Sequence, residues 1–227
     1  MIANGVPMVF RPVEGRLTGM IGYVLGDPDE GLAVVVDPPG GETELILALL
    51  AESGMRLVMV LRTHVHANDA DNCAALCERT GALLVAGEAV RAKASAVRRV
   101  VDDDVLTFGV QSIRVLATPG HTSNCVSYLW DDRLMCGDMF DLSTCSAEGS
   151  EANPAALYDS LTRRIFPLPD QVLVFPAHAM KARRVAMLAE LRARLTPVLG
   201  RGRDAFITEM AARLGSAPAM TGVSRSC

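Results

Sequence analysis

Short apolar runs, rich in β-branched residues and each cut off by a turn signal, set the architecture open to this chain. Leu32–Val36 stops at Asp37-Pro-Pro-Gly-Gly41, and Leu57–Leu61 runs straight into Thr63-His64-Val65-His66. Leu83–Ala86, Val105–Phe108, Ser112–Leu116, Cys125–Trp130, Arg133–Cys136 and Val172–Phe175 follow the same plan, with turns at Gly109 and Asp131-Asp132. Runs of this length and composition read as buried strands. Between them lie helical patterns: Glu42–Glu52 ended by Gly54, Ala70–Arg79 closed by Gly81, Pro154–Arg164, Lys181–Leu195 and Arg203–Leu214. Strands alternating with helices predict a mixed α/β fold in packed layers. No repeat or linker interrupts residues 1–227, so a single domain is expected, with a frayed tail from about residue 215, where the sequence turns small and polar.

Composition removes several function classes. The chain is 50% hydrophobic and 21% charged with a formal net charge of −4, which argues against disorder and gives no support to a general nucleic-acid binder. The longest apolar run, Leu45–Ala51, falls far short of the roughly 18 residues a membrane span needs. The opening MIANGVPMVFRP lacks the blocks of a signal peptide, so a cytoplasmic protein is expected. The six cysteines, at 73, 77, 125, 136, 145 and 227, then read as reduced thiols, most of them small buried hydrophobes. No C-x-x-C pair offers a zinc ribbon.

Histidine is scarce, and its placement is informative. All four histidines, His64, His66, His121 and His178, fall in Gly/Pro/Thr-rich turns just after predicted strands, and Asp138 directly follows another. Loops at one edge of a sheet converge on rigid scaffolds, and imidazole plus carboxylate is the donor set of a transition-metal site.

Thr63-His64-Val65-His66-Ala67-Asn68-Asp69, Thr118-Pro-Gly-His121-Thr122, Gly137-Asp138 and Pro176-Ala-His178 come in the order of the metallo-β-lactamase superfamily, which the chain resembles over nearly its whole length. Within it the chain is most similar to the persulfide dioxygenases, with glyoxalase II as a close relative. His121-Thr-Ser-Asn-Cys-Val-Ser-Tyr128 and Leu157-Tyr-Asp-Ser-Leu161 leading to Ile165-Phe-Pro-Leu-Pro169 carry that likeness. The resemblance implies an αββα sandwich: two mixed β-sheets flanked by helices, with a metal at one edge between them. It further implies one Fe(II) per chain, held by His64, His121 and Asp138, with a small-molecule persulfide and O2 as substrates. Homodimers occur among such relatives. Two histidines and a carboxylate on one face leave roughly three positions open, enough for a sulfur and O2 side by side. His66 and His178 become supporting groups that orient ligands or water.

The chain departs from the superfamily pattern at two places. In the dinuclear hydrolases the first motif is H-x-H-x-D-H; here Asn68 stands for the aspartate and Asp69 for the histidine, which weakens a second metal position and spares the triad. In the persulfide dioxygenases a C-G-R-T-D-F-like segment helps bind glutathione persulfide. Here Cys145 has the matching offset but is followed by Ser146-Ala147-Glu148, without the arginine, and Ala179-Met180 replaces an acidic-aromatic pair. The expected pocket is therefore altered from one for glutathione persulfide, with Glu148 and Glu151 favouring a cationic or less acidic thiol compound and Cys145 near the substrate. A zinc-dependent thioester hydrolase of the glyoxalase II type and a non-catalytic thiol-binding protein stand as alternatives. The basic stretch Lys181, Arg183, Arg184, Arg192, Arg194, Arg201 and Arg203 reads as a solvated helix face, with Lys181 and Arg183 nearest the expected site.

Overall fold

Two six-stranded mixed sheets lie face to face in the computed structural model, which describes residues 2–3, 6–66, 73–88, 97–140, 151–178 and 183–216. A two-stranded ribbon, β1 (Ile2–Ala3) and β2 (Val6–Pro7), precedes them. The first sheet has the order β3 (Val9–Glu14), β4 (Ile21–Asp27), β5 (Leu32–Val36), β6 (Arg56–Leu61), β7 (Leu83–Gly87) and β8 (Val97–Val100). Its first three strands are antiparallel and the rest parallel. The second sheet is a meander of β9 (Val105–Phe108), β10 (Gln111–Ala117), β11 (Val126–Trp130) and β12 (Arg133–Gly137). It is extended by parallel β13 (Leu173–Pro176) and antiparallel β14 (Ala186–Met187).

Parallel neighbours require crossovers, and helices supply them. α1 (Thr43–Glu52) joins β5 to β6 and buries Ile46 and Leu50, one turn apart. α2 (Ala74–Thr80) ends at Gly81 in a left-handed cap. Both cover the outer face of the first sheet over Val24, Val35, Leu57 and Val60. α3 (Pro154–Ser160), which runs into a π-helical turn at Leu161–Ile165, packs with α4 (Leu188–Leu199) and α5 (Arg203–Ser216) on the outer face of the second sheet. The Leu188, Leu191, Leu195, Leu199 stripe of α4 faces that core. Between the sheets lies a third apolar layer, in which Ile21, Val34 and Leu61 meet Ile113, Val126 and Tyr128. Helix, sheet, sheet, helix is the expected order of layers.

Six of the ten aromatic residues, Phe10, Tyr23, Phe108, Tyr128, Trp130 and Phe175, gather in the layer between the sheets. Phe10 packs on Phe175 and Tyr23 at ring separations of 4.7 and 5.6 Å, and Trp130 lies 6.4 Å from Phe10 and 6.2 Å from Phe108. The Arg133 guanidinium sits over both Phe10 and Trp130.

Three features differ from the sequence expectation. β3 and β4 form a hairpin that Pro12 and the interspersed Gly22 and Gly26 obscure; Pro12 is tolerated because β3 is an edge strand. β8, with its polar Arg98-Arg99 centre, is the opposite edge. The helix expected from Lys181 begins only at Leu188, because Ala186 and Met187 pair with Val174 and Leu173 and close the edge of β13. Among the described residues, no helix is long and apolar enough to cross a membrane.

Candidate metal centre

Strand ends bring the four histidines and Asp138 together. His64 and His66 follow β6, His121 follows β10, Asp138 follows β12 and His178 follows β13. The loops are tied across the two sheets. The Asn124 carboxamide accepts from the Val65 N–H and donates to its carbonyl, both at 2.8 Å, and the Val126 N–H donates to the Thr63 carbonyl. The His121 loop is held from the other side by α3. The Asn153 N–H donates to the Gly120 carbonyl at 2.7 Å, the Ser160 hydroxyl donates to the Pro119 carbonyl at 2.7 Å, and a Cβ on Gly120 would fall 2.6 Å from Leu157.

The rings of His64, His66 and His121 stand 4.9 to 5.0 Å apart and almost mutually perpendicular. Each offers a nitrogen to a common point, the three donor atoms lying within 4.8 Å of one another. The Nε2 atoms of His66 and His121 are 3.2 Å apart. Oδ2 of Asp138 lies 3.6 Å from His64 Nε2 and 3.9 Å from His121 Nε2, while its Oδ1 is 2.8 Å from His178 Nδ1. Burial pushes the Asp138 carboxyl up, but the hydrogen bond from His178 and the attraction of His64, His178 and His121 together outweigh it and hold the group well below the usual carboxylate range. Burial drives His64 down to about 3 and lowers His121 as well, so both imidazoles are neutral at pH 7, the form that binds metal.

This donor set fits a metal. His64 is buried, and its Nε2 faces the centre without a hydrogen-bond partner among the described residues, a costly arrangement unless a cation takes the lone pair. Imidazoles with one carboxylate suit iron or zinc. While Asp138 lies just outside the close grouping of rings, His66 belongs to it. On its outer side its Nδ1 is 3.5 Å from Glu151 Oε2, both side chains about one-third exposed.

Asn68, Asp69, Cys145, Glu148, Met180 and Lys181 lie outside the described residues. Arg183 is turned to Glu190, and Arg184, Arg192, Arg194, Arg201 and Arg203 also have carboxylate partners. Cys73, Cys125 and Cys136 are buried thiols outside any disulfide, and Cys77 is half-buried. Sequence reasoning missed three contributors. Asp37 accepts from Thr63 next to His64, Asn124 ties the loops, and Gly137 leaves room for Thr63. Asn124 and Gly137 stood inside the motifs that carry the resemblance but were given no role, and the turn at Asp37-Pro38 read as punctuation.

The chain has the metallo-β-lactamase fold: it superposes on a metallo-β-lactamase from Staphylococcus aureus with a TM-score of 0.74 at 19% identity, over 93% of this chain and 68% of that one. The resemblance tightens with the structure of ETHE1 from Myxococcus xanthus, at a TM-score of 0.84 and 35% identity over 93% of this chain and 92% of that one. The chain belongs to the ETHE1 family. It is also 29% identical to the human mitochondrial persulfide dioxygenase ETHE1 over 213 residues, 91% of this chain and 82% of the relative. A hydroxyacylglutathione hydrolase of Rhodopseudomonas palustris is 31% identical over 74% of this chain and 66% of its own length. No protein-family model matches the chain.

Proposed function

We propose that the chain is a mononuclear iron(II) dioxygenase that oxidises the outer sulfur of a low-molecular-weight persulfide. The net reaction is RSSH + O2 + H2O giving RSH, sulfite and two protons. The observation that carries this reading is the convergence of His64, His121 and Asp138, with a buried Nε2 on His64 that has no hydrogen-bond partner among the described residues, in a chain related to enzymes named persulfide dioxygenases. Those three residues would hold the iron. Iron(II) held there would supply the redox chemistry that joins a sulfur to O2.

The chain's own residues do the rest. His178 donates to Oδ1 of Asp138 and leaves Oδ2 turned inward. His66 lines the open side with Nδ1 toward Glu151, so its Nε2 is placed to take the persulfide proton. Thr63 and Thr122, in the loops that carry His64 and His121, are buried and exclude water from that side. Glu151 adds negative charge beside the centre, which favours a cationic or less acidic thiol over the dianionic glutathione persulfide.

One observation favours a second reading. The close grouping of His66 with His64 and His121 makes a three-imidazole set, which suits zinc and thioester hydrolysis. Anaerobic purification, metal analysis and O2 uptake with a panel of persulfides separate the two. About one iron per chain with persulfide-dependent O2 uptake supports the dioxygenase. Zinc with thioester cleavage and no O2 uptake overturns it.

A further inference from the structure

The side of His64 turned away from the centre is wired into a buried chain of hydrogen bonds. Thr63 Oγ1 lies 3.0 Å from His64 Nδ1 and 2.6 Å from Asp37 Oδ2, and the Thr63 N–H donates to Asp37 Oδ1 at 2.9 Å. Asp37 and Thr63 are 26 residues apart, but they meet because β5 and β6 are adjacent parallel strands that end side by side, Val36 paired with Leu61. Asp37 holds a left-handed backbone at φ 44°, a conformation that aspartate and asparagine tolerate better than most non-glycine residues, and it is 2% exposed. Arg62 Nε lies 3.6 Å from Asp37 Oδ1, and both side chains are buried. Gly137 is required beside them: a Cβ there would stand 2.4 Å from Thr63 Oγ1.

The direction of this chain follows from counting protons. A hydroxyl has one hydrogen to give. Burial pushes the Asp37 carboxyl up, while Arg62 beside it and two donors from Thr63 oppose that and favour the carboxylate, which can only accept. The Thr63 hydroxyl proton therefore goes to Asp37, and the oxygen is left to accept. His64 must then donate from Nδ1, so its Nε2 carries the lone pair. Nε2 is the atom that faces Asp138 and has no hydrogen-bond partner among the described residues.

We propose that Asp37 is a positioning residue that acts through Thr63 to fix the proton of His64 on Nδ1 and present its Nε2 lone pair to the metal. The proposal rests on the reading of His64 as a ligand. Asp37→Asn tests it sharply, because the geometry dictates how the amide sits. The Thr63 N–H needs an oxygen at the Oδ1 position, so the NH2 must replace Oδ2 and point its hydrogens at Thr63 Oγ1. The chain reverses: Thr63 then donates to Nδ1, and the His64 proton moves to Nε2, where it blocks the metal.

The experiment uses the full chain, stripped of metal, with 15N-labelled histidine, and assigns the His64 tautomer by long-range nitrogen–proton correlation. Zinc affinity is measured alongside by competition with a chelator. Wild type and Thr63→Ser should show Nδ1–H. Asp37→Asn should show Nε2–H and a 10- to 100-fold loss of zinc affinity. Thr63→Val, which cuts the chain without reversing it, should give mixed tautomers and a smaller loss. Asp37→Asn retaining Nδ1–H, or zinc affinity within twofold of wild type, overturns the proposal. Should Asp37→Asn fail to fold by circular dichroism, Thr63→Val with a pure Nδ1–H signal and unchanged affinity overturns it instead. His64→Ala separates the underlying reading: unchanged zinc affinity there refutes His64 as a ligand, whatever the tautomer result.

Discussion

His178 and Asp138 form a donor–acceptor pair, Nδ1 to Oδ1 at 2.8 Å, that turns the other carboxylate oxygen toward His64 and His121. The low pKa of Asp138 makes it the acceptor, so His178 carries the proton on Nδ1. An asparagine carboxamide puts its nitrogen near the position of Nδ1. His178→Asn should therefore keep metal affinity within a few-fold of wild type, while His178→Ala should lose about 10- to 100-fold, as measured by chelator competition. Equal losses in both would show that the ring does more than donate to Asp138.

His66 decides how many protein donors the metal has. With the triad of His64, His121 and Asp138, His66→Ala should retain about one iron per chain after anaerobic purification but lose most turnover. His64→Ala, His121→Ala and Asp138→Ala should each lose the iron. Loss of iron from His66→Ala would instead place His66 in the ligand set, as its 3.2 Å approach to His121 permits.

Glu151 sits beside His66 at the exposed side of the centre. Partly screened charges act over short range with modest energies. Glu151→Gln should thus raise kcat/KM for glutathione persulfide by about three- to tenfold relative to that for cysteamine persulfide. A ratio unmoved by the substitution would rule out a charge-selecting role.

Cys125 accepts a hydrogen bond from the Thr122 N–H and shares another with its hydroxyl, and burial pushes its thiol up to about 11. A raised folded pKa means that the folded state disfavours the thiolate. The stabilisation is complete below the unfolded value near 9 and is lost as pH rises toward 11. Over that window the wild type should lose about 2 to 3 kcal/mol more stability than Cys125→Ala, read from urea denaturation at stepped pH. Parallel curves would mean that Cys125 ionises freely in the folded chain.

The histidines, Asp138 and most strands were legible because each is a local signal: an apolar run, then a turn, then a donor side chain. The supporting groups were not. Asp37 meets Thr63, and Asn124 meets Val65, through strand order and inter-sheet packing, which no short window of sequence contains. β14 was lost for a similar reason. A helix-like sequence from Lys181 yields at Ala186 and Met187 to pairing with β13. His66 was read as a supporting group because the resemblance assigns the iron to three other residues, whereas the rings themselves form a trio.

The aromatic cluster between the sheets gives the chain a built-in optical probe. Trp130 is the sole tryptophan, is 1% exposed, and touches Phe10 from one sheet and Phe108 from the other, under the Arg133 guanidinium. Its emission therefore reports separation of the two sheets without interference from any other indole. Red-shifted fluorescence marks the moment the sandwich opens, and comparing that moment with metal release tells whether the centre empties before the sheets part or together with them.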